Sequence, residues 1–274
     1  MKNRWLHSSF IVLLFWVVME SALFAQQRGE VLIYTGTFQW IDAGMVNAES
    51  TTCEKLLKEA KIPVQVEPDQ NKAADWIKAT TDNGKLDVFI MYGDIPPSIY
   101  PGGNAKPDGS LAEKWIETKD GDMYLNHADY MFWGVGGRNK EGGLQNMMDI
   151  PGIVMWDDDT PMKVTADGKK YTPSLKDYNT DRPFHLDQLA DNWKIEKVFA
   201  SNSGDDKGTR ADPVIVRDGN LGRLCIAYQT ASEKNPKGEV ASEIIINYIY
   251  KEAAKYVDPQ DKLSSTWGAI KRSD

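Results

Sequence analysis

Two imidazoles and a set of carboxylates carry most of the proton chemistry available to this 274-residue chain. Of its three histidines, His7 sits in an N-terminal apolar leader, which leaves His127 and His185. His127 closes the stretch MYLNH, with Asn126 before it and Asp129 two residues on. Asp94 closes LDVFIMYGD, directly after Tyr92 and Gly93. An imidazole beside a carboxylate makes a general acid–base pair that works near neutral pH. His127 is the candidate base on this reading, with Asp94 or Asp129 as its partner. The competing reading is that these residues cap the following helix and satisfy one another. His185 lies in DRPFHLD, a loop whose Pro and charges can aim His185 and Asp187 at a ligand; equally, Asp187 can simply start a short helix.

Other chemistries find less support. Asp157-Asp158-Asp159 follows an apolar run and would attract a hard cation such as calcium, but the spacing matches no calcium loop. No zinc-type histidine spacing and no G-x-S-x-G elbow occurs. Phosphate-loop and dinucleotide glycine fingerprints are absent; Gly134-Val135-Gly136-Gly137 is a loose cluster, so no cofactor is expected. Cys53 falls on a predicted helix and Cys225 inside a predicted strand, so neither reads as a nucleophile. Two buried thiols are the leading expectation and a disulfide the alternative. Trp40, Tyr92, Trp133 and Trp156 lie at or near predicted strand ends, where aromatics beside carboxylates can stack on sugars; filling the core is the bland alternative.

The elements that must position these groups alternate. Val31–Ile33, Pro63–Val66, Leu86–Met91 and Met123–Leu125 read as short buried strands, with helices over 43–60, 72–80 and 110–116 between them. Ser110 and Glu113 form a capping-box pair at the start of the third helix. Strand–helix alternation predicts an α/β fold, a mostly parallel sheet with helices on both faces. The second half predicts a helix over 143–149, a strand over 152–156, and a hairpin of 162–165 with 169–172. It also predicts a strand over 193–200, a second hairpin of 213–217 with 223–228, and a closing helix over 240–255. In such a sheet, ligands bind outside the carboxyl ends of the strands. That places Thr35, Gly36, Thr37, Gln39, Tyr92, Gly93, Asn126 and Trp156 with His185 and Asp187 as candidate ligand-binding residues.

Residues 1–25 read as a cleavable export signal: Lys2 and Arg4, then ten apolar residues from Phe10 to Met19, then Ala22-Leu23-Phe24-Ala25 before the cut. The apolar run is too short to span a bilayer, so no stable membrane span is expected after cleavage. Without this segment, which carries Lys2, Arg4 and Glu20, the chain holds 30 basic and 39 acidic side chains, a net charge of −9. That balance opposes binding to nucleic acid. One domain over 26–257 and a polar tail over 258–274 are expected, in the periplasm or outside the cell. Oligomeric state is not written in the sequence.

The order of elements resembles the class I glutamine amidotransferase-like fold (flavodoxin-like in its winding) and, within it, the trehalose-utilisation, or ThuA-like, family. The residues that carry the resemblance are VLIYTG (31–36), LDVFIMYG (86–93), MYLNH (123–127) and PVIVRDGNLGRLCIAYQTA (213–231). The chain is also similar to a group of exported bacterial proteins that share DIPGIVMWDDDTP and RPFHLDQL, a likeness that brings no activity with it. The amidotransferase resemblance implies a Cys on the turn after a central strand; here that turn is Asn126-His127-Ala128-Asp129-Tyr130 and holds none. Three functional readings follow. The first is an exported domain binding a small polar, carbohydrate-related ligand at the carboxyl edge of the sheet, with any acid–base work done by His127. The second is a catalytically silent interaction domain of an exported assembly. The third is a cation-dependent hydrolase using Asp157–Asp159 and His185.

Overall fold

Short apolar runs that end in small residues line up side by side as the strands of one twisted sheet. The computed structural model describes residues 27–37, 41–103, 109–127, 129–227 and 236–253. The leader over 1–25 and the tail over 258–274 lie outside these residues, as do Gln39 and Trp40. The first half runs β1 (Gln27–Tyr34), α1 (Ala43–Glu59), β2 (Val64–Glu67), α2 (Gln70–Thr80), β3 (Lys85–Met91), α3 (Leu111–Ile116) and β4 (Met123–Asn126). The second runs α4 (Gly142–Met148), β5 (Thr160–Val164), α5 (Ala166–Tyr171), β6 (Tyr178–Thr180), β7 (Phe184–His185) and β8 (Trp193–Val198). It ends with β9 (Ala200–Ser201), β10 (Arg210–Ala211), β11 (Val214–Asp218), β12 (Arg223–Ile226) and α6 (Lys237–Glu243), which continues as wider π-helical turns over Ile244–Ala253.

Among the described residues the main sheet has seven strands in the order β2-β1-β3-β4-β12-β11-β8. The first five are parallel; β11 is antiparallel to both β12 and β8. This is the α/β fold expected, with helices on both faces. Strand alternation assigns the faces. Leu32, Tyr34, Phe89, Met91 and Tyr124 pack with Trp76 and Ile77 of α2 and Trp115 of α3. Val31, Ile33, Val88, Ile90, Met123 and Leu125 pack with Val46, Cys53 and Leu57 of α1 and with Val240 and Ile244 of the closing helix. The capping box forms as predicted: Ser110 accepts from the Glu113 N–H, and the Glu113 carboxylate accepts from the Ser110 N–H.

The second half differs from expectation at three places. The predicted 162–172 hairpin is a strand followed by a helix. Thr165 Oγ1 accepts from the Gly168 N–H at 2.9 Å and so starts α5, while β5 pairs with β6 and β9. Gly168 serves close packing rather than a turn, since a Cβ there would lie 2.0 Å from the Phe199 carbonyl oxygen. The predicted 152–156 strand forms no ladder. Its backbone is satisfied by side chains, Val154 N–H by Gln188 Oε1 at 2.9 Å and Met155 N–H by the Tyr130 hydroxyl at 3.2 Å, while Ile153 and Met155 are buried. A short apolar run signals burial without specifying a strand. The predicted 193–200 strand is split at Phe199, where the chain leaves β8 and enters the antiparallel second sheet, β6-β5-β9-β10-β7.

Candidate functional site

The carboxyl ends of β1 to β4 share one edge, and the winding direction reverses between β1 and β3. Loops that leave a sheet in opposite directions open a crevice between them. Here the two loops are tied together: the Tyr92 N–H donates to the Tyr34 carbonyl at 3.1 Å, and the Asp94 N–H to the Thr37 carbonyl at 2.6 Å. Thr35 is held on the other side, its N–H donating to Glu67 O at 3.3 Å. Gly36 and Gly93 make the close approach possible. A Cβ on Gly93 would lie 2.3 Å from Thr37 O, and one on Gly36 would lie 2.2 Å from the Tyr34 hydroxyl oxygen. Beside them, the ends of β1 and β2 and the start of α2 border a shallow, open cleft of ≈ 400 Å³, lined by Tyr34, Gly36, Thr37, Pro68, Asp69 and Asn71 among others.

His127 follows β4 on the face covered by α1 and the closing helix. Because Met91 pairs with Asn126, the next residues, Tyr92 and His127, fall side by side, and their rings pack at 4.1 Å with a tilt of 34°. His127 is 1% exposed, and neither ring nitrogen has a hydrogen-bond partner. Burial, reinforced by the Lys237 ammonium, holds the imidazole well below its ordinary value, so it is neutral at physiological pH. It makes no hydrogen bond to Asp94 or Asp129, and the base–carboxylate pair suggested by the sequence is not formed.

The two aspartates belong to a different environment. Asp94 is 6% exposed, and its Oδ2 has no hydrogen-bond partner. Burial and then the Asp129 carboxylate push its carboxyl up to about 6, against the opposing Arg138 guanidinium. Arg138 itself donates to the carbonyls of Ile95 and Tyr100. Asp129 is raised by burial and restrained by Arg182, whose Nε lies 3.1 Å away. Asn126 anchors this turn, its Nδ2 donating to the Asp129 carbonyl at 2.9 Å. Arg182 also pairs with Asp158 and lies over the Trp156 ring at 4.4 Å. Trp156 is 40% exposed and packs with Tyr130 and Trp133 at 4.9 and 5.2 Å.

His185 sits on β7 of the second sheet. Burial and then Arg210 lower its titration. Arg210 pairs with Asp157 and with Asp187, each at 2.8 Å. Two of the three consecutive aspartates therefore hold arginines, and among the described residues no group of three or more His, Cys, Asp or Glu side chains is placed to hold a metal ion. The charged groups around His185 are not those around His127. Cys53 and Cys225 are both buried and free, and burial pushes the Cys53 thiol up to about 12.

Sequence reading missed Arg138, Arg182, Arg210 and Lys237, because their roles come from partners distant along the chain. It also missed Asp69, by starting α2 at residue 72; an Asp ahead of a helical pattern is the ordinary signal of a cap and would have found it. No helix among the described residues is long and apolar enough to cross a membrane.

No protein-family model matches the sequence, and no curated protein does. A solved chain from Bacteroides uniformis ATCC 8492, provisionally described as ThuA-like, is similar to it at 10% identity, covering 85% of this chain and 96% of that one with a TM-score of 0.45. At that distance nothing about activity, ligand or export passes from that chain to this one.

Proposed function

We propose that this chain is an exported domain that binds a small, hydroxyl-rich, carbohydrate-related ligand at the carboxyl edge of its main sheet. The observation that carries the reading is the set of unanswered polar atoms at the ends of two adjacent strands. Asp94 Oδ2 and both His127 ring nitrogens are buried and make no hydrogen bond. Buried polar groups are nearly always paired, and an unpaired one costs about 1–3 kcal/mol. A hydroxyl both donates and accepts, so it answers a carboxylate oxygen and a neutral imidazole alike. The reversal of winding between β1 and β3, the cleft beside it and the aromatic group Tyr130, Trp133 and Trp156 support the same reading. Binding is favoured over acid–base catalysis because no carboxylate orients His127.

The test is a calorimetric titration of the purified chain with glucose, galactose, mannose, maltose and cellobiose, repeated with Asp94→Asn. The reading predicts saturable binding of at least one sugar, weakened roughly tenfold or more by the substitution, the cost of a lost hydrogen bond to a charged group. Absence of heat with every sugar would sink it. For export, the N-terminus of the protein recovered outside the cytoplasm is expected at Gln26; an intact Met1 there would contradict the cut.

A further inference from the structure

We infer that the carboxyl-edge cleft discriminates against phosphorylated ligands in favour of their uncharged, hydroxyl-bearing counterparts; this rests on the binding reading above and deepens it. In sheets wound this way, phosphate is usually held by unpaired N–H groups at the start of a crossover helix, where the helix dipole also favours negative charge. Each of the first three crossover helices here has at least one of those groups answered by its own side chains, with a carboxylate standing at the helix start. At α1, the Asp42 carboxylate accepts from the Met45 N–H at 3.1 Å. At α2, the Asp69 carboxylate accepts from the Asn71 and Lys72 N–H groups at 2.8 and 3.2 Å. At α3, the Glu113 carboxylate accepts from Gly109 and Ser110, and the Ser110 hydroxyl from Glu113.

The cleft opens directly on one of these caps. Its described lining includes Asp69, Gln70 and Asn71 and contains no Lys or Arg, so its single formal charge is the Asp69 carboxylate. The loop that closes the edge from the β3 side carries the second carboxylate, buried Asp94, hydrogen-bonded through its N–H to Thr37 of the cleft wall. The cations near this edge face carboxylates or backbone carbonyls, and Lys72 acts on the Asp69 carboxylate itself. Arg182 is shared by Asp129 and Asp158, and the Arg138 guanidinium donates to two backbone carbonyls while facing Asp94. A phosphate monoester, with a charge of about −1.5 to −2, would meet a carboxylate where other members of this architecture offer N–H groups. A neutral hydroxyl meets acceptors it can donate to. An ammonium meets an attractive charge, which places amino sugars with the accepted ligands.

The experiment pairs each hexose of the titration panel with its 6-phosphate and its 2-amino form, on the wild-type chain and on Asp69→Asn. Asn caps helices about as well as Asp, so the variant keeps α2 and removes the charge. The expected result is binding of the 6-phosphate roughly tenfold or more weaker than that of its parent sugar, a gap that narrows in Asp69→Asn and in raised salt. A 6-phosphate that binds as tightly as its parent, or more tightly, overturns the charge selectivity and leaves the binding reading standing. An unchanged gap in Asp69→Asn also overturns it, because the discrimination then comes from elsewhere. If no parent sugar, amino sugar or phosphate binds, the binding reading has failed and the selectivity falls with it.

Discussion

The Asp94 N–H donates to the Thr37 carbonyl at 2.6 Å, and this bond fastens the loop after β3 to the loop after β1. It exists because residue 93 has no side chain. A Cβ on Gly93 would stand 2.3 Å from the same Thr37 oxygen, closer than non-bonded atoms approach.

Gly93→Ala is therefore expected to push the two loops apart and to destabilise the chain by about 1–3 kcal/mol, the usual cost of overpacking. Urea unfolding measures the stability. Gly142→Ala is the matched control: a Cβ there meets nothing within 4 Å, and the position is helical. It is expected to be neutral or to stabilise by up to about 1 kcal/mol. Equal stability of Gly93→Ala and wild type would show that the tie is not as described.

Arg182 links Asp129, at the edge of the main sheet, to Asp158 and to the Trp156 ring. Replacing it with Ala removes the cation beside the mostly buried Asp129 carboxylate and uncovers one face of Trp156. A loss of about 1–2 kcal/mol is expected, discounted because Asp158 is largely exposed. Arg182→Lys is expected to recover only part of it, since an ammonium cannot pair through a planar fork and stack at once. Tryptophan fluorescence read alongside unfolding checks both; full recovery by Lys would argue against the stacked geometry.

Titration makes a signed prediction about stability. Burial pushes the Asp122 carboxyl up to about 9. A raised folded-state value means that the folded chain keeps a proton the unfolded chain has released, so this group's contribution falls as pH rises from about 4 to about 9. Asp87 and Asp94, each held up to about 6, act in the same direction at lower pH. His127 and His185 are held low and oppose them, but only below about 6.5, where the unfolded imidazole takes up a proton. Above about pH 8.5 the unfolded cysteines begin to ionise as well. Between about pH 7 and about pH 8.5, the Asp122 contribution stands nearly alone. The urea midpoint is expected to fall across that window. Asp122→Asn keeps an acceptor for the Asp87 N–H and is expected to flatten the fall. A midpoint that rises with pH there contradicts the assignment.

Both thiols are buried, and Cys53 is held up to about 12. A thiol reagent is expected to label neither in the folded chain and both after denaturation without reductant. No labelling after denaturation would reveal a disulfide, and rapid labelling of the folded chain would show that Cys53 or Cys225 is accessible.

The parts of this fold that were readable in advance are those set by local chemistry. VLIYTG and LDVFIMYG announce buried strands that stop at small residues, and the Ser110–Glu113 box fixes where α3 begins. From these the carboxyl edge and its glycines follow. The partner of His127 did not follow, because its face depends on the register that pairs Met91 with Asn126, and register is a property of two strands. His127 therefore packs against the Tyr92 ring instead of meeting Asp94. The surroundings of the aspartate run at 157–159 were not legible for a similar reason: Arg182 and Arg210 reach it from far along the chain. The false hairpin at 162–172 shows the opposite failure. Asp167-Gly168 is turn chemistry in isolation, but Thr165 caps a helix there and Gly168 packs against Phe199.

Amide mapping by NMR locates the ligand most directly. With the tightest-binding sugar of the titration, shifts are expected to concentrate at Thr35–Thr37, Asp69–Asn71, Tyr92–Asp94 and Asn126–His127, the strand ends that share the edge. Shifts confined to the second sheet, or to the opposite edge around Asp87 and Asp122, would contradict the account.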